Sequence, residues 1–363
     1  MVKLGAEMDE IDTPALLVDL DVMEKNIQTM ADKFRGMSAD LRPHTKTHKT
    51  PIIAQKQIAA GAIGVTCAKL GEAEVMAEAG IRDILIANQV VGEPKVTRLV
   101  NLAKHSDVIV AVDDPANVRH LAEAARRKDV KLNVLVEVNV GNNRCGVDPG
   151  EPAVVLAREV VKEASLSLRG LMGYEGFCQF IPRLEDRRAK AEAAMDKLIA
   201  SRDMLVDAGV DVETVSGGGT GTHMITGNYP GVTEVEAGSY VFMDAKYSTV
   251  EGLEKFGKAL TVLSTVLSTP RPGVAVCDAG LKTLTTDFGV PVVKGVDGVE
   301  YVRANEEHGH LRVEPGASVK AGDKIEIFPT HCCTNTNLYD YFHCVRDGSL
   351  EAVWRIAARG RSQ

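Results

Sequence analysis

From Leu41 to about Asp244, short apolar runs rich in Val, Ile and Leu alternate with longer amphipathic stretches, the texture of a repeated β/α unit. The runs predict strands over 41–45, 64–68, 83–87, 108–112, 132–138, 168–174, 213–216 and 234–240. Eight parallel strands close into a (β/α)8 TIM-type barrel. Between them, 71–79, 93–103, 115–127 and 184–208 carry helical spacing with Glu, Lys and Arg on the outer face, and they predict the surrounding ring. Past Val250 the pattern changes to Val/Thr/Ile-rich runs at 260–268, 274–277, 324–328 and 350–356, broken by Pro-Gly, Gly-Val-Asp-Gly and Pro-Gly-Ala. That is the pattern of a C-terminal antiparallel β-domain. The early run 15–20 precedes the first barrel strand and is a candidate recruit to the second sheet. The expected domains are a barrel over 21–248 and a β-domain over 249–363 together with 1–20, with the linker near 246–253.

A length of 363 residues accommodates both domains, and a net charge of -8 argues against a nucleic-acid or membrane-surface role. Small-molecule chemistry is the expectation. The first thirty residues carry Asp9, Glu10 and Asp12 without an apolar core or cleavage site, and no later stretch has the length of a membrane span. Seven scattered cysteines, an odd number, do not make a disulfide framework. These features together predict a cytoplasmic protein.

In a parallel barrel the active site is built where strands end and helices begin. Lys46, Asn88-Gln89, Arg144 and Tyr174-Glu175 come at or just after the ends of predicted strands; the seventh run leads into Ser216-Gly217-Gly218-Gly219-Thr220-Gly221, and the eighth contains Ala237-Gly238-Ser239-Tyr240. In Arg42-Pro43-His44-Thr45-Lys46-Thr47-His48-Lys49, alternation along an extended segment puts Arg42, His44, Lys46 and His48 on one face. Protonated histidines and an arginine beside an amine lower its pKa, which suits a Schiff-base lysine, and Lys46 is the candidate. A solvated basic loop has the same composition. Four glycines in the six positions 216–221 let backbone N–H groups converge on an anion, with hydroxyls from Ser216 and Thr220. Many glycine-rich turns are only tight turns, yet a second Gly238-Ser239 on the adjacent strand fits the barrel phosphate site. A phosphate anchor with a Schiff-base lysine suggests pyridoxal 5′-phosphate (PLP).

The motifs together resemble the D-threonine aldolase and D-serine dehydratase-like family of fold-type III PLP enzymes, cousins of alanine racemase. The matching elements are Arg42–Lys46, Gly141-Asn142-Asn143-Arg144-Cys145-Gly146-Val147, Ser216–Gly221, Glu236-Ala237-Gly238-Ser239-Tyr240, Asp278-Ala279-Gly280, Glu307-His308-Gly309 and His331-Cys332-Cys333. The resemblance implies Lys46 as the PLP lysine and Arg144 as a partner of the cofactor ring. It adds Tyr174, Ser216, Gly218, Gly219, Thr220, Gly238, Ser239 and Tyr240 as further cofactor contacts. It also places a divalent metal on His331 and Cys333 in the C-terminal domain. On an extended segment those two share a face while Cys332 points away. A thiolate ligand favours zinc, whereas manganese is common among the aldolase relatives. Phe180 stands where resembling members often carry a histidine, which moves the base role to Glu175, His308 or a metal-bound hydroxide.

The implied activity is retro-aldol cleavage of D-3-hydroxy amino acids such as D-threonine to glycine and an aldehyde. Dehydration of D-serine or D-3-hydroxyaspartate to a 2-oxo acid and ammonia is the alternative. Resembling enzymes pair as homodimers in which the β-domain of one chain closes over the barrel mouth of the other.

Overall fold

The alternating texture becomes alternating strands and helices in a computed structural model that describes residues 3–363. In chain order the elements begin β1 (Ala15–Asp19), α1 (Leu20–Phe34), β2 (Asp40–Leu41), α2 (Pro51–Ala59), β3 (Val65–Cys67), α3 (Leu70–Glu78), β4 (Asp83–Gln89), α4 (Glu93–Leu102) and β5 (Asp107–Val112). There follow α5 (Pro115–Arg127), β6 (Leu132–Glu137), α6 (Glu151–Lys162), β7 (Leu166–Gly173), α7 (Leu184–Asp207), β8 (Thr214–Gly217), α8 (His223–Thr226) and β9 (Glu234–Val235). The rest are β10 (Leu260–Arg271), β11 (Val274–Cys277), β12 (Val292–Lys294), β13 (Val299–Ala304), β14 (Gly309–Val313), β15 (Lys324–Phe328), α9 (Cys332–Thr336), β16 (Tyr341–Arg346) and β17 (Ser349–Arg355).

The chain divides into two compact units, one of residues 30–46, 51–238 and 360–363, the other of 1–29, 47–50 and 239–359. The change of unit after the barrel strands therefore falls between Gly238 and Ser239, ahead of the linker expected near 246–253. The reason is apolar: Tyr240 packs edge-on to Phe256 and Phe242 to Phe342, so the residues just after Gly238 already belong to the second unit's core.

The first unit is the expected barrel. Its eight strands run parallel in the order β2-β9-β8-β7-β6-β5-β4-β3. The ends are joined by Ile63 N–H to Leu41 C=O at 3.0 Å, Thr66 N–H to Pro43 C=O at 2.9 Å and a parallel bridge between His44 and Thr66. Helix α5 shows why the ring forms. Asp114 caps it by accepting from Asn117 N–H and Pro115 fills its first turn. Val118, Leu121, Ala122 and Ala125 are buried at helical spacing while Arg119, Glu123, Arg126 and Arg127 face water.

In the second unit a nine-stranded, mostly antiparallel sheet runs β13-β14-β11-β10-β1-β16-β17, with β15 on β10 and β12 on β15. Strand β1 lies antiparallel to β10 and parallel to β16, so the run 15–20 is recruited into the middle of this sheet. Ile11, Ala15, Leu17, Leu263, Val345 and Leu350 form one of its core clusters. Asp278 accepts from Ser264 Oγ, Thr265 N–H and Thr13 Oγ1, which ties the start of the chain to β10 and accounts for that carboxylate structurally.

Candidate active site

Two predicted barrel strands are cut short at the end where chemistry is expected. The run 41–45 pairs as β2, keeps backbone bonds to Val235, Ala237 and Thr66 as far as His44, and then winds into a 3-10 turn over Thr45–Thr47; the run 234–240 pairs as β9 and winds at Ser239–Val241. Lys46 therefore sits in a turn, and the alternation expected to align Arg42, His44, Lys46 and His48 does not apply. Their charges are also accounted for. His44 Nδ1 accepts Lys46 N–H at 3.4 Å and His48 Nδ1 accepts Thr50 N–H at 3.2 Å, and a ring nitrogen that accepts carries no proton. Arg42 Nε donates to Glu234 Oε2 at 2.9 Å and its Nη1 to Asp83, with Arg42 and Glu234 both buried.

Three expected cofactor residues meet on one ring. Lys46 Nζ lies 5.7 Å from the Tyr174 ring centroid, and the Arg144 guanidinium carbon lies 5.5 Å from it. Lys46 comes from the turn after β2, Arg144 from the loop after β6 and Tyr174 from the end of β7. Glu137, the last residue of β6, sits 3.8 Å from Arg144 and accepts from Gln89, and burial pushes its carboxyl pKa up.

The glycine turn is shaped from inside. Gly218 N–H donates to Glu175 Oε2 at 3.2 Å, Gly219 N–H to Thr222 Oγ1 at 3.1 Å and Gly221 N–H to Gln179 Oε1 at 2.9 Å. These amides, expected to converge on an anion, instead fix the turn's conformation. A Cβ on Gly219 would stand 2.6 Å from Gln179 Oε1 and one on Gly221 2.2 Å from the Gln179 carbonyl, so Gln179 dictates the glycines. Thr220 is buried and its carbonyl is bonded to His223 Nδ1 at 2.8 Å. Ser216, expected to offer its hydroxyl to a phosphate, is fully buried and donates to Glu236 Oε1 at 2.8 Å. Burial pushes the Glu236 carboxyl up to about 8; Glu234 and Glu137 add to the shift, while the Ser216 hydrogen bond and Lys46 oppose it.

Glu175 does not have the surroundings of a base. It is buried, and its Oε1 accepts from Thr222 Oγ1 at 2.6 Å and Thr226 Oγ1 at 2.7 Å while Oε2 takes Gly218.

Within the second unit, His331, Cys332 and Cys333 bring their ligand atoms within 4.8 Å of one another. The segment is not extended throughout: His331 stands at the N-terminal cap of α9, which begins at Cys332, so the i, i+2 alternation does not apply and Cys332, expected to point away, lies in the same cluster. Asp244 Oδ2 accepts from His331 Nδ1 at 2.9 Å and from Cys332 N–H at 3.0 Å, which leaves Nε2 as the nitrogen able to ligate. Thr47 Oγ1 lies 3.2 Å and Ser239 Oγ 3.6 Å from Cys333 Sγ, and the Phe288 ring is 4.9 Å from that of His331. Ser239 thus accompanies the thiol cluster, and Tyr240 is core packing against Phe256 with no exposed surface for a cofactor. His308 is exposed in the turn before β14. Gly238 is the last residue of the barrel unit before the chain changes units.

Sequence reasoning did not single out Gln179, Glu236 or Asp244. Glu236 lies inside a motif that was recognised, but nothing in its text showed that it would take the Ser216 hydroxyl.

The alanine racemase N-terminal domain model matches residues 18–246, and a serine dehydratase domain model matches 259–345. The 3-hydroxy-D-aspartate aldolase of Paracoccus denitrificans is 37% identical over 98% of this chain and 94% of its own. A solved D-threonine aldolase from Filomicrobium marinum superposes with a TM-score of 0.96 at 42% identity, covering 99% of each chain. The D-threo-3-hydroxyaspartate dehydratase of Delftia sp. HT23 gives 0.87 at 30% identity, covering 96% of this chain and 98% of its own. With a barrel whose strand ends carry Lys46, Tyr174 and Arg144, and relatives that align end to end, the chain belongs to the D-threonine aldolase and D-serine dehydratase-like family of fold-type III PLP enzymes.

Proposed function

We propose that the protein is a PLP- and divalent-metal-dependent lyase that cleaves a D-3-hydroxy amino acid into glycine and an aldehyde. The carrying observation is the gathering of Lys46 and Arg144 on Tyr174 in a chain that is more similar over its whole length to the two aldolases than to the dehydratase. The residues fit the cofactor: Lys46 offers an amine, Tyr174 a flat face, Arg144 a cation for the ring, and the glycine turn a fixed shape for the phosphate. When bound, PLP supplies the aldehyde that condenses with an amine and a ring that takes up the electrons released from the Cα–Cβ bond. Glu137 lies 3.8 Å from the guanidinium of Arg144, and Lys46 and Arg144 both lie over the Tyr174 ring.

The donor set of His331 and Cys333 fits a divalent metal, with Asp244 orienting the imidazole, and the thiolate favours zinc over manganese. A cysteine-to-alanine variant of the dehydratase relative is described in a metal-free form, which supports a cysteine as ligand. Such a metal lowers the pKa of a hydroxyl that binds it. With Glu175 engaged by three donors, His308 and a metal-bound hydroxide are the candidates kept for accepting the substrate hydroxyl proton. We assign the chain to the cytoplasm, on the grounds that all seven cysteines are thiols and no helix among the described residues is long and apolar enough to cross a membrane.

Incubation with D-threonine, D-serine and D-3-hydroxyaspartate tests the reading. Glycine with an aldehyde is the expected outcome, and 2-oxo acid with ammonia would replace it with the dehydratase. Lys46→Ala should abolish the visible PLP absorbance, and Cys333→Ser should lose bound metal by elemental analysis. Comparable turnover of the L-substrates would overturn the stereochemical assignment.

A further inference from the structure

A buried carboxyl beside a turn read as a phosphate cradle is tolerated only where the protein's own donors engage it fully. Glu175 is engaged in that way. A carboxylate is acceptor-only, so the hydroxyl protons of Thr222 and Thr226 must both point at it. Thr222 Oγ1 is then obliged to accept, and it does so from Gly219 N–H at 3.1 Å and Gln179 Nε2 at 3.0 Å. That bond fixes which way the Gln179 amide faces, and its Oε1 accepts Gly221 N–H at 2.9 Å. Glu175 itself accepts Gly218 N–H, at the one position in the turn with a left-handed backbone, φ +74°. Arg187, also buried, closes the far side by donating to the carbonyls of Gly221, Ile181 and Pro182. One carboxylate thus sets the polarity of a connected network that includes the amides of three turn glycines.

We propose that Glu175 is a positioning residue for the cofactor's phosphate, holding the 216–221 turn in its binding shape, and is not the base of the reaction. This rests on the PLP reading above. A glutamine at 175 keeps one oxygen for the two hydroxyls but turns an N–H toward Gly218 N–H, donor against donor, so the turn must move. Thr226→Val removes one donor of the same network at a residue with no place in the chemistry.

The test compares two aldehydes on apoprotein: PLP, and pyridoxal, which lacks the phosphate. Both are followed by the absorbance change on binding to wild type, Glu175→Gln and Thr226→Val. Glu175→Gln should weaken PLP binding by about tenfold or more and Thr226→Val by roughly threefold, each with less than about a twofold change for pyridoxal. Weakening of both aldehydes alike would mean general damage and overturn the proposal. Unchanged PLP affinity with lost turnover in Glu175→Gln would do the same by returning Glu175 to the role of base. If Glu175→Gln does not fold, Thr226→Val carries the comparison alone. Wild-type protein that binds neither aldehyde would refute the cofactor reading itself, a result distinct from either of these.

Discussion

Glu236 shows how far a single residue's chemistry depends on burial that the sequence does not display. Its carboxyl stays protonated up to about pH 8 in the folded chain because burial penalises the charged form, whereas an unfolded glutamate ionises near 4.5. Between those values the unfolded chain binds fewer protons than the folded one, so stability is fully present below about 4.5 and falls as pH rises toward 8. Glutamine is isosteric, neutral at every pH and still accepts from Ser216. The melting temperature of Glu236→Gln apoprotein, relative to wild type, should therefore rise by at least about 3 °C between pH 5 and pH 8.5. An equal gap at both pH values would show that the carboxyl ionises normally. The site's residue types were readable, since Lys46, Tyr174 and Arg144 all follow predicted strands and do meet. Their environments were not: Ser216, expected to donate to a phosphate, donates to Glu236, and His44 and His48, expected to crowd Lys46 with charge, accept backbone N–H groups.

At the scale of elements, the barrel was legible because a buried parallel strand is a continuous apolar run, and β4, β5, β6 and β7 fall on their predicted runs. The clipped strands β2 and β9 were overextended in the sequence reading because apolar text continues into the turns that follow them; Val241 and Phe242 are buried in the other unit's core, not in a ladder. These short strands are also where the sheet must close, with β2 contributing only two paired residues. Arg42, just beyond β2, offsets that deficit by reaching Glu234 on β9 and Asp83 on β4. Its removal would leave the buried Glu234 side chain without the guanidinium that donates to it. Arg42→Met should cost about 3 kcal/mol, a fall in melting temperature of roughly 5–10 °C. A fall of about 1 °C or less in thermal unfolding would show that backbone bonds alone close the ring.

For the whole molecule, several apolar side chains of the second unit face water, and four fall within a dozen residues of chain: Leu281, Phe288, Val290 and Val292 are each 41–52% exposed. Val292 begins β12, which pairs only with β15 and so lies at a sheet edge. Exposed apolar groups this close together, on an unpaired edge, are costly unless another surface covers them. We propose that a second copy of the chain, related by a two-fold axis, covers them, the homodimer that the sequence resemblance implies. Light scattering should then give a mass of about twice the 39.0 kDa of one chain. The double variant Val290→Lys and Val292→Lys should shift it to one chain's mass, because desolvating two ammonium groups at an interface opposes association. Phe288 is left unchanged in that variant because its ring lies against His331, and altering it would confuse association with metal binding. A wild-type mass of one chain would refute the dimer, and a dimer that survives both lysines would place its interface elsewhere on the surface.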